Sequence, residues 1–157
     1  MKILLTHGYF IHEDPKEQEI MRPYPPLGVL YVSAWLEKHG YDNSVFDSTF
    51  STFENLKSRL LQDKPDAIGI YTNLMTKLNV LCTIQFVKSH PDLAHTKIIL
   101  GGPEVRNHVD NFLKHGADFL VLGEGEESML ALIQCLDKNE NHTDIESIAY
   151  LNNEGET

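Results

Sequence analysis

The sequence predicts an α/β fold: a doubly wound parallel sheet with helices on both faces and strands in the order 2-1-3-4-5. Short runs rich in Val, Ile and Leu alternate with longer amphipathic runs from end to end. Most of the short runs are continuously apolar, as strands covered on both faces must be. Glycine or proline falls at the changeovers: Gly40 and Gly116 follow helical runs, and Pro65 and Pro91 mark turns into or toward strands. Right-handed crossovers then wind five βα units into one sheet.

Taken in order, the predicted strands are Lys2–Thr6, Ser44–Asp47, Asp66–Tyr71, Lys97–Leu100 and Asp118–Leu122. The helical patterns are Leu27–His39, Thr52–Gln62, Leu74–Ser89, Val105–His115 and Glu126–Asp137. Between the first strand and first helix, Gly8 to Pro26 is polar and proline-bearing, far longer than the two to six residues usual for a βα loop. It is expected to be functional or mobile. After the polar cluster "KNENHTD", the segment "IESIAYLNNEGE" reads as a sixth strand without a partner, so residues 1–157 are expected to be a single domain and a piece of something longer.

With 157 residues, 41% of them hydrophobic and 23% charged, the chain has the makings of one globular core. Thirteen basic residues against 23 acidic ones give a formal charge of −10, with no basic cluster to neutralise a run of phosphates. Nucleic acid is therefore not an expected partner. No apolar run approaches the roughly 20 residues that span a bilayer, and a cytoplasmic location is expected. Cys82 and Cys135 both sit in apolar helical contexts and are expected to be buried free thiols.

Ligands of open parallel sheets bind outside the carboxyl ends of the strands, so those ends decide the function. Here they read "THGY", "DSTF", "YTNLM", "GGPE" and "GEGEE". Thr6, His7 and Tyr71 stand where a phosphoacceptor receiver needs acids. "HGYFIHEDPKE" lacks the hydroxyl-rich phosphate loop of a flavodoxin. A dinucleotide fingerprint belongs in the first βα turn, whereas Gly123-Glu-Gly125-Glu-Glu-Ser128 follows the fifth strand and sets Glu124, Glu126 and Glu127 where a pyrophosphate would sit. Those acids suit a helix N-terminus instead.

The segments "PYPPLGVLYVSAWLEKHGYDNSVFD", "KPDAIGIYTNLMT", "IILGGPEV" and "DFLVLGEGEESMLALI", in this order and spacing, resemble the cobalamin-binding N-terminal domain of cobalamin-dependent radical S-adenosylmethionine enzymes. That class includes the anaerobic magnesium-protoporphyrin ester cyclase and many methyltransferases. The resemblance implies a Rossmann-like fold, cobalamin as cofactor, and a covalently linked radical S-adenosylmethionine module. A corrin is broad and largely apolar with amides at its edge, so it requires a wide rim with few bulky side chains. The expected cofactor-binding residues are Thr6, His7 and Gly8 after the first strand, and Pro26, Leu27 and Gly28 where the first helix opens. Tyr71, Thr72, Asn73 and Met75 follow the third strand, Gly101, Gly102, Pro103 and Glu104 the fourth, and Gly123, Glu124, Gly125 and Glu126 the fifth. Thr72, Asn73 and the Gly101–Gly102 turn are expected to line a slot for the nucleotide tail, Pro103 to start the next helix, and Tyr9, Phe10 and Met75 to face the corrin.

Cobalamin domains that supply a lower axial histidine carry Asp-x-His-x-x-Gly after the first strand. Neither His7, with Leu5 and Phe10 at the flanking positions, nor His12, with Phe10 and Pro15, satisfies it. The radical-enzyme class generally lacks this histidine, and His7 is expected to be exposed or hydrogen-bonded. Two isolated cysteines cannot supply Cys-x-x-x-Cys-x-x-Cys, so S-adenosylmethionine and a [4Fe-4S] cluster belong to a module outside this chain, and no catalysis is expected from it alone. The competing readings are a doubly wound domain binding a nucleotide or nucleotide sugar, and a regulatory interaction domain.

Overall fold

The structure, a computed structural model, describes residues 1–152 and 154–157. Its strands are β1 (Ile3–His7), β2 (Asn43–Phe46), β3 (Ala67–Tyr71), β4 (Lys97–Gly101), β5 (Phe119–Val121) and β6 (Ile148–Ala149). They form one sheet in the order β2-β1-β3-β4-β5-β6, parallel except for β6. The helices are α1 (Pro15–Ile20), α2 (Leu27–Lys38), α3 (Phe53–Asp63), α4 (Lys77–Ser89), α5 (Val109–Lys114) and α6 (Gly125–Lys138). The doubly wound order read from the sequence is the order observed.

Alternate strand residues feed opposite cores, as a pleat with period two requires. Leu4, Ile68, Ile70, Ile98, Leu100 and Leu120 pack with Leu60 of α3, Ile84 of α4 and Phe112 of α5. Ile3, Leu5, Ala67, Ile99, Phe119 and Val121 pack on the other face with Val29 and Leu36 of α2 and Met129, Leu132 and Ile133 of α6. Among the described residues, α2 and α6 are the helices that cover that second face. Their N-terminal ends meet the C-terminal rim of the sheet, and the gap between them positions the site.

Four expectations need correction. The sixth strand is not unpaired: β6 runs antiparallel to β5 with Leu120 opposite Ala149 and Val121 opposite Ile148. Phe119, His142 and Tyr150 cluster there, with ring centroids 4.6 to 5.9 Å apart. Second, Val105–His115 is not one helix but a 3₁₀ turn, Val105–Asn107, followed by α5. His108 breaks it at φ −141°, its ring drawn to Glu104, so Pro103 occupies a turn rather than the first position of an α-helix. Third, α4 begins at Lys77 instead of Leu74, because the Asn73 side chain accepts from the N–H groups of Met75 and Thr76 and holds a turn there. Fourth, Cys82 is exposed and Cys135 half-buried; both lie on helix flanks that their apolar neighbours do not turn inward.

The long β1–α2 connection also has structure. Phe10 and Ile11 are buried, Ile11 N–H donates to the Thr49 carbonyl, and a 3₁₀ turn spans Ile11–Glu13. Asp14 then caps α1, accepting from the N–H groups of Lys16 and Glu17. Phe10 belongs to the α3–α5 core rather than to a corrin face.

Candidate cofactor site

A slot of about 230 Å³ enters the rim between the N-terminal ends of α2 and α6. Its floor is the sheet: Leu5 of β1, Gly69 of β3, Ile99 of β4 and Val121 of β5. Its walls are Val29 and Val32 of α2 and Met129 of α6. Gly69 lets neighbouring side chains close over β3: a Cβ there would stand 2.6 Å from Leu5 Cδ2 and 3.1 Å from Met129 Cε. Those two side chains occupy the space a larger residue would take. A glycine costs a central strand packing, and here the fold accepts that cost beside a cavity.

Glycines also build the mouth. Gly101, Gly102, Gly123 and Gly125 line it with Gly28, and the Tyr71 ring lies between Gly28 and Gly102. Gly102 has φ +103°, and a Cβ there would come within 2.4 Å of the Thr72 carbonyl oxygen. It lets the β4 turn fold back on the β3 turn, where Thr72 N–H donates to the Gly101 carbonyl at 2.7 Å. Gly101 differs: a Cβ there would meet nothing within 4 Å. Strand β4 stops on two glycines for two separate reasons, a backbone turn and an open cradle.

Of the expected residues, the structure therefore brings Gly28, Tyr71, Gly101, Gly102, Gly123, Glu124, Gly125 and Glu126 to one slot. Pro26 and Leu27 stand beside it at the α2 N-terminus, which no side chain caps. Thr6, His7 and Gly8 turn elsewhere. Thr6 Oγ1 donates to the Phe46 carbonyl at 2.7 Å, and Gly8 packs against Thr76 and Val80. His7, only 5% exposed, has both ring nitrogens engaged: Tyr9 N–H donates to Nδ1 at 3.2 Å, which leaves the proton on Nε2 to be donated to Asp47 Oδ1 at 2.9 Å. The hydrogen-bonded role expected for His7 is what the structure shows. Partial burial raises the Asp47 pKa, but hydrogen bonds from Thr49 and His7 outweigh it and hold the carboxyl below its ordinary range.

Glu104 is buried and faces away from the slot, held by Lys77 Nζ at 3.0 Å and His108 Nε2 at 3.1 Å. It ties the β4 turn to α4. Asn73 serves its own turn, Pro103 lies in the turn after Gly102, and Met75 projects from the rim, 69% exposed. Thr72 is buried, its hydroxyl without a protein partner among the described residues, but it does not line the slot. What sequence reasoning missed is the interior: Leu5, Val29, Val32, Gly69, Ile99, Val121 and Met129. The one legible signal was Gly69, an isolated glycine within an apolar strand run.

Residues 19–133 match the family model of the B12 binding domain. The chain is 26% identical, across an alignment of 159 positions covering 96% of it, to the anaerobic magnesium-protoporphyrin IX monomethyl ester cyclase of Rubrivivax gelatinosus, of which it covers 28%. The fold superposes on the cobalamin-dependent S-adenosylmethionine radical enzyme OxsB with aqua-cobalamin bound, with TM-score 0.81 and 21% identity, covering 99% of this chain and 21% of that one. It also matches the radical S-adenosylmethionine methyltransferase TsrM from Kitasatospora setae with cobalamin and a [4Fe-4S] cluster bound, with TM-score 0.75 and 16% identity, covering 98% of this chain and 29% of that one. The chain thus spans less than a third of each of these proteins. With the model matched over more than half of the chain, through α2 and into α6, the chain belongs to the B12 binding domain family.

Proposed function

We propose that this chain binds a cobalamin at the C-terminal rim of its sheet and is the cofactor-carrying part of a radical S-adenosylmethionine enzyme. The observation that carries the reading is the slot. At about 230 Å³ it falls below the roughly 300–1,000 Å³ of pockets that enclose whole drug-sized ligands, so it admits one flat group while the corrin stays outside. The nucleotide tail of cobalamin ends in such a group. Around the mouth the glycines leave clearance for the macrocycle, Gly101 most of all, since a Cβ there would project into open space. The Gly28 and Val29 N–H groups in the first turn of α2, with no side-chain cap and no acidic neighbour in that turn, can donate to the phosphodiester that joins tail to corrin, whereas Leu27 N–H is taken by the Pro25 carbonyl. Helix α6 carries Glu126 and Glu127 in its first turn, which disfavours the phosphate there.

His7 is not the cobalt ligand in this reading, because ligation would break a hydrogen bond to Asp47 or Tyr9. When bound, the corrinoid supplies methyl-transfer or radical chemistry at cobalt; the residues of this chain bind and orient it. The iron–sulfur cluster, S-adenosylmethionine and the substrate belong to the remainder of the larger enzyme. Incubation with hydroxocobalamin, desalting and visible absorption test the reading. Retention near one corrinoid per chain is expected, and loss of all colour on desalting would refute it.

A further inference from the structure

The chemistry of the slot interior goes further than the fact of binding. Its six side chains, Leu5, Val29, Val32, Ile99, Val121 and Met129, offer no hydrogen-bond donor or acceptor beyond the weak thioether sulfur. The strand backbone beneath them is committed to the sheet, with Leu5 opposite Gly69, Gly69 opposite Ile99, and Val121 opposite Ile148 of the antiparallel β6. The two buried side-chain polar atoms that lack a partner among the described residues, Trp35 Nε1 and Thr72 Oγ1, belong to residues outside the slot lining. Among the described residues, the polar side chains that line the slot are Glu124, Glu126 and Tyr71.

Natural corrinoids share the macrocycle and differ in the base that ends the nucleotide tail. Benzimidazole bases are apolar along their outer edge, whereas purines present ring nitrogens and an amino or keto group there. We infer that this slot selects corrinoids by the polarity of that base, accepting 5,6-dimethylbenzimidazole and discriminating against adenine. The inference rests on the proposed placement of the tail. The physical cause is asymmetric: off cobalt, dimethylbenzimidazole has one ring nitrogen to leave unpaired, while adenine adds two more ring nitrogens and an amino group that give up water for walls that offer them no partner. Sites that strand a polar group lose about 10- to 100-fold in affinity per unpaired group.

The test is equilibrium binding of three corrinoids to the purified chain, followed by visible absorption: cobalamin, its adenine-tailed analogue, and cobinamide, which has no nucleotide tail. The expected result is cobalamin tighter than the adenine form by about 10-fold or more, with cobinamide also weaker than cobalamin. Equal binding of cobalamin and the adenine form, with cobinamide weaker, would overturn the selectivity while leaving the tail in the slot. Cobinamide binding as well as cobalamin would overturn the tail placement and the inference with it. Val121→Thr, which sets a hydroxyl on the slot floor at nearly constant volume, should narrow the preference between the two tailed forms. Because both are measured on the same variant, a general loss of stability does not mimic the change. An unchanged ratio in that variant would count against the slot as the reader of the base.

Discussion

A Cβ on Gly101 would meet no heavy atom within 4 Å, whereas one on Gly102 would stand 2.4 Å from the Thr72 carbonyl oxygen at φ +103°. Gly102→Ala should therefore act on folding, lowering stability by about 1–3 kcal/mol through backbone strain and displacement of the turn. Gly101→Val should leave the melting temperature within about 2 °C and weaken cobalamin binding at least about tenfold, since its branches project into the slot mouth. Thermal melts and titrations on both variants check this, and equal losses of stability would show that Gly101 is structural too. Asp47 gives a second test. Its folded pKa is depressed by Thr49 and His7 against the opposing effect of burial, so its contribution is complete above the ordinary carboxylate pKa and fades as pH falls through the lowered value. The side chain is 48% exposed, which limits that contribution to less than about 1 kcal/mol. Asp47→Asn should cost that much in urea melts at pH 7, and the deficit should shrink steadily as pH falls below the ordinary carboxylate range. A deficit that persists undiminished in acid would assign the effect to geometry rather than charge.

At the scale of elements, the β1–α2 connection divides in two. Residues 9–13 are pinned by buried Phe10 and Ile11, while α1 buries no side chain and residues 21–26 have no regular structure. Hydrogen exchange should therefore be slow at Ile11, whose N–H is bonded to Thr49, and fast from residue 14 to 24, slowing there when cobalamin binds. Uniformly slow exchange without cofactor would show the whole connection to be packed. The sequence marked this segment by its length and prolines but not its division, because Phe10 is buried by α3 residues such as Phe53 that lie far along the chain. The strands were legible to within two residues because covered parallel strands are continuously apolar. The break at His108 was not, since it depends on a buried carboxylate brought in by the β4 turn. The mouth of the slot was legible from its glycines. Its interior was not, because Leu5, Val29 and Ile99 look like any core residue until two helices fail to close over them.

Across the whole molecule, the sheet separates two cores with different duties. The α3–α5 side is sealed, with Leu60, Ile84 and Phe112 fully buried, and its three helices contribute stability without lining the slot. The α2–α6 side is the one that opens to a ligand. Linkage makes this separation measurable, because a ligand present at 100 times its Kd stabilises the folded state by about 2.7 kcal/mol whatever the starting stability. For a domain of this size that corresponds to about 5–10 °C in Tm. Leu60→Ala, which empties space in the sealed core, should cost about 2–5 kcal/mol in the absence of cofactor and leave the stabilisation by cobalamin unchanged, since distant sites add. Ile99→Ala, on the slot floor, should lower both the starting stability and the increment that cobalamin adds. Paired melts of the two variants, with and without cobalamin, separate the cases. If Leu60→Ala abolished the increment as Ile99→Ala does, the two faces would be coupled through the sheet and the site would not be confined to the α2–α6 side.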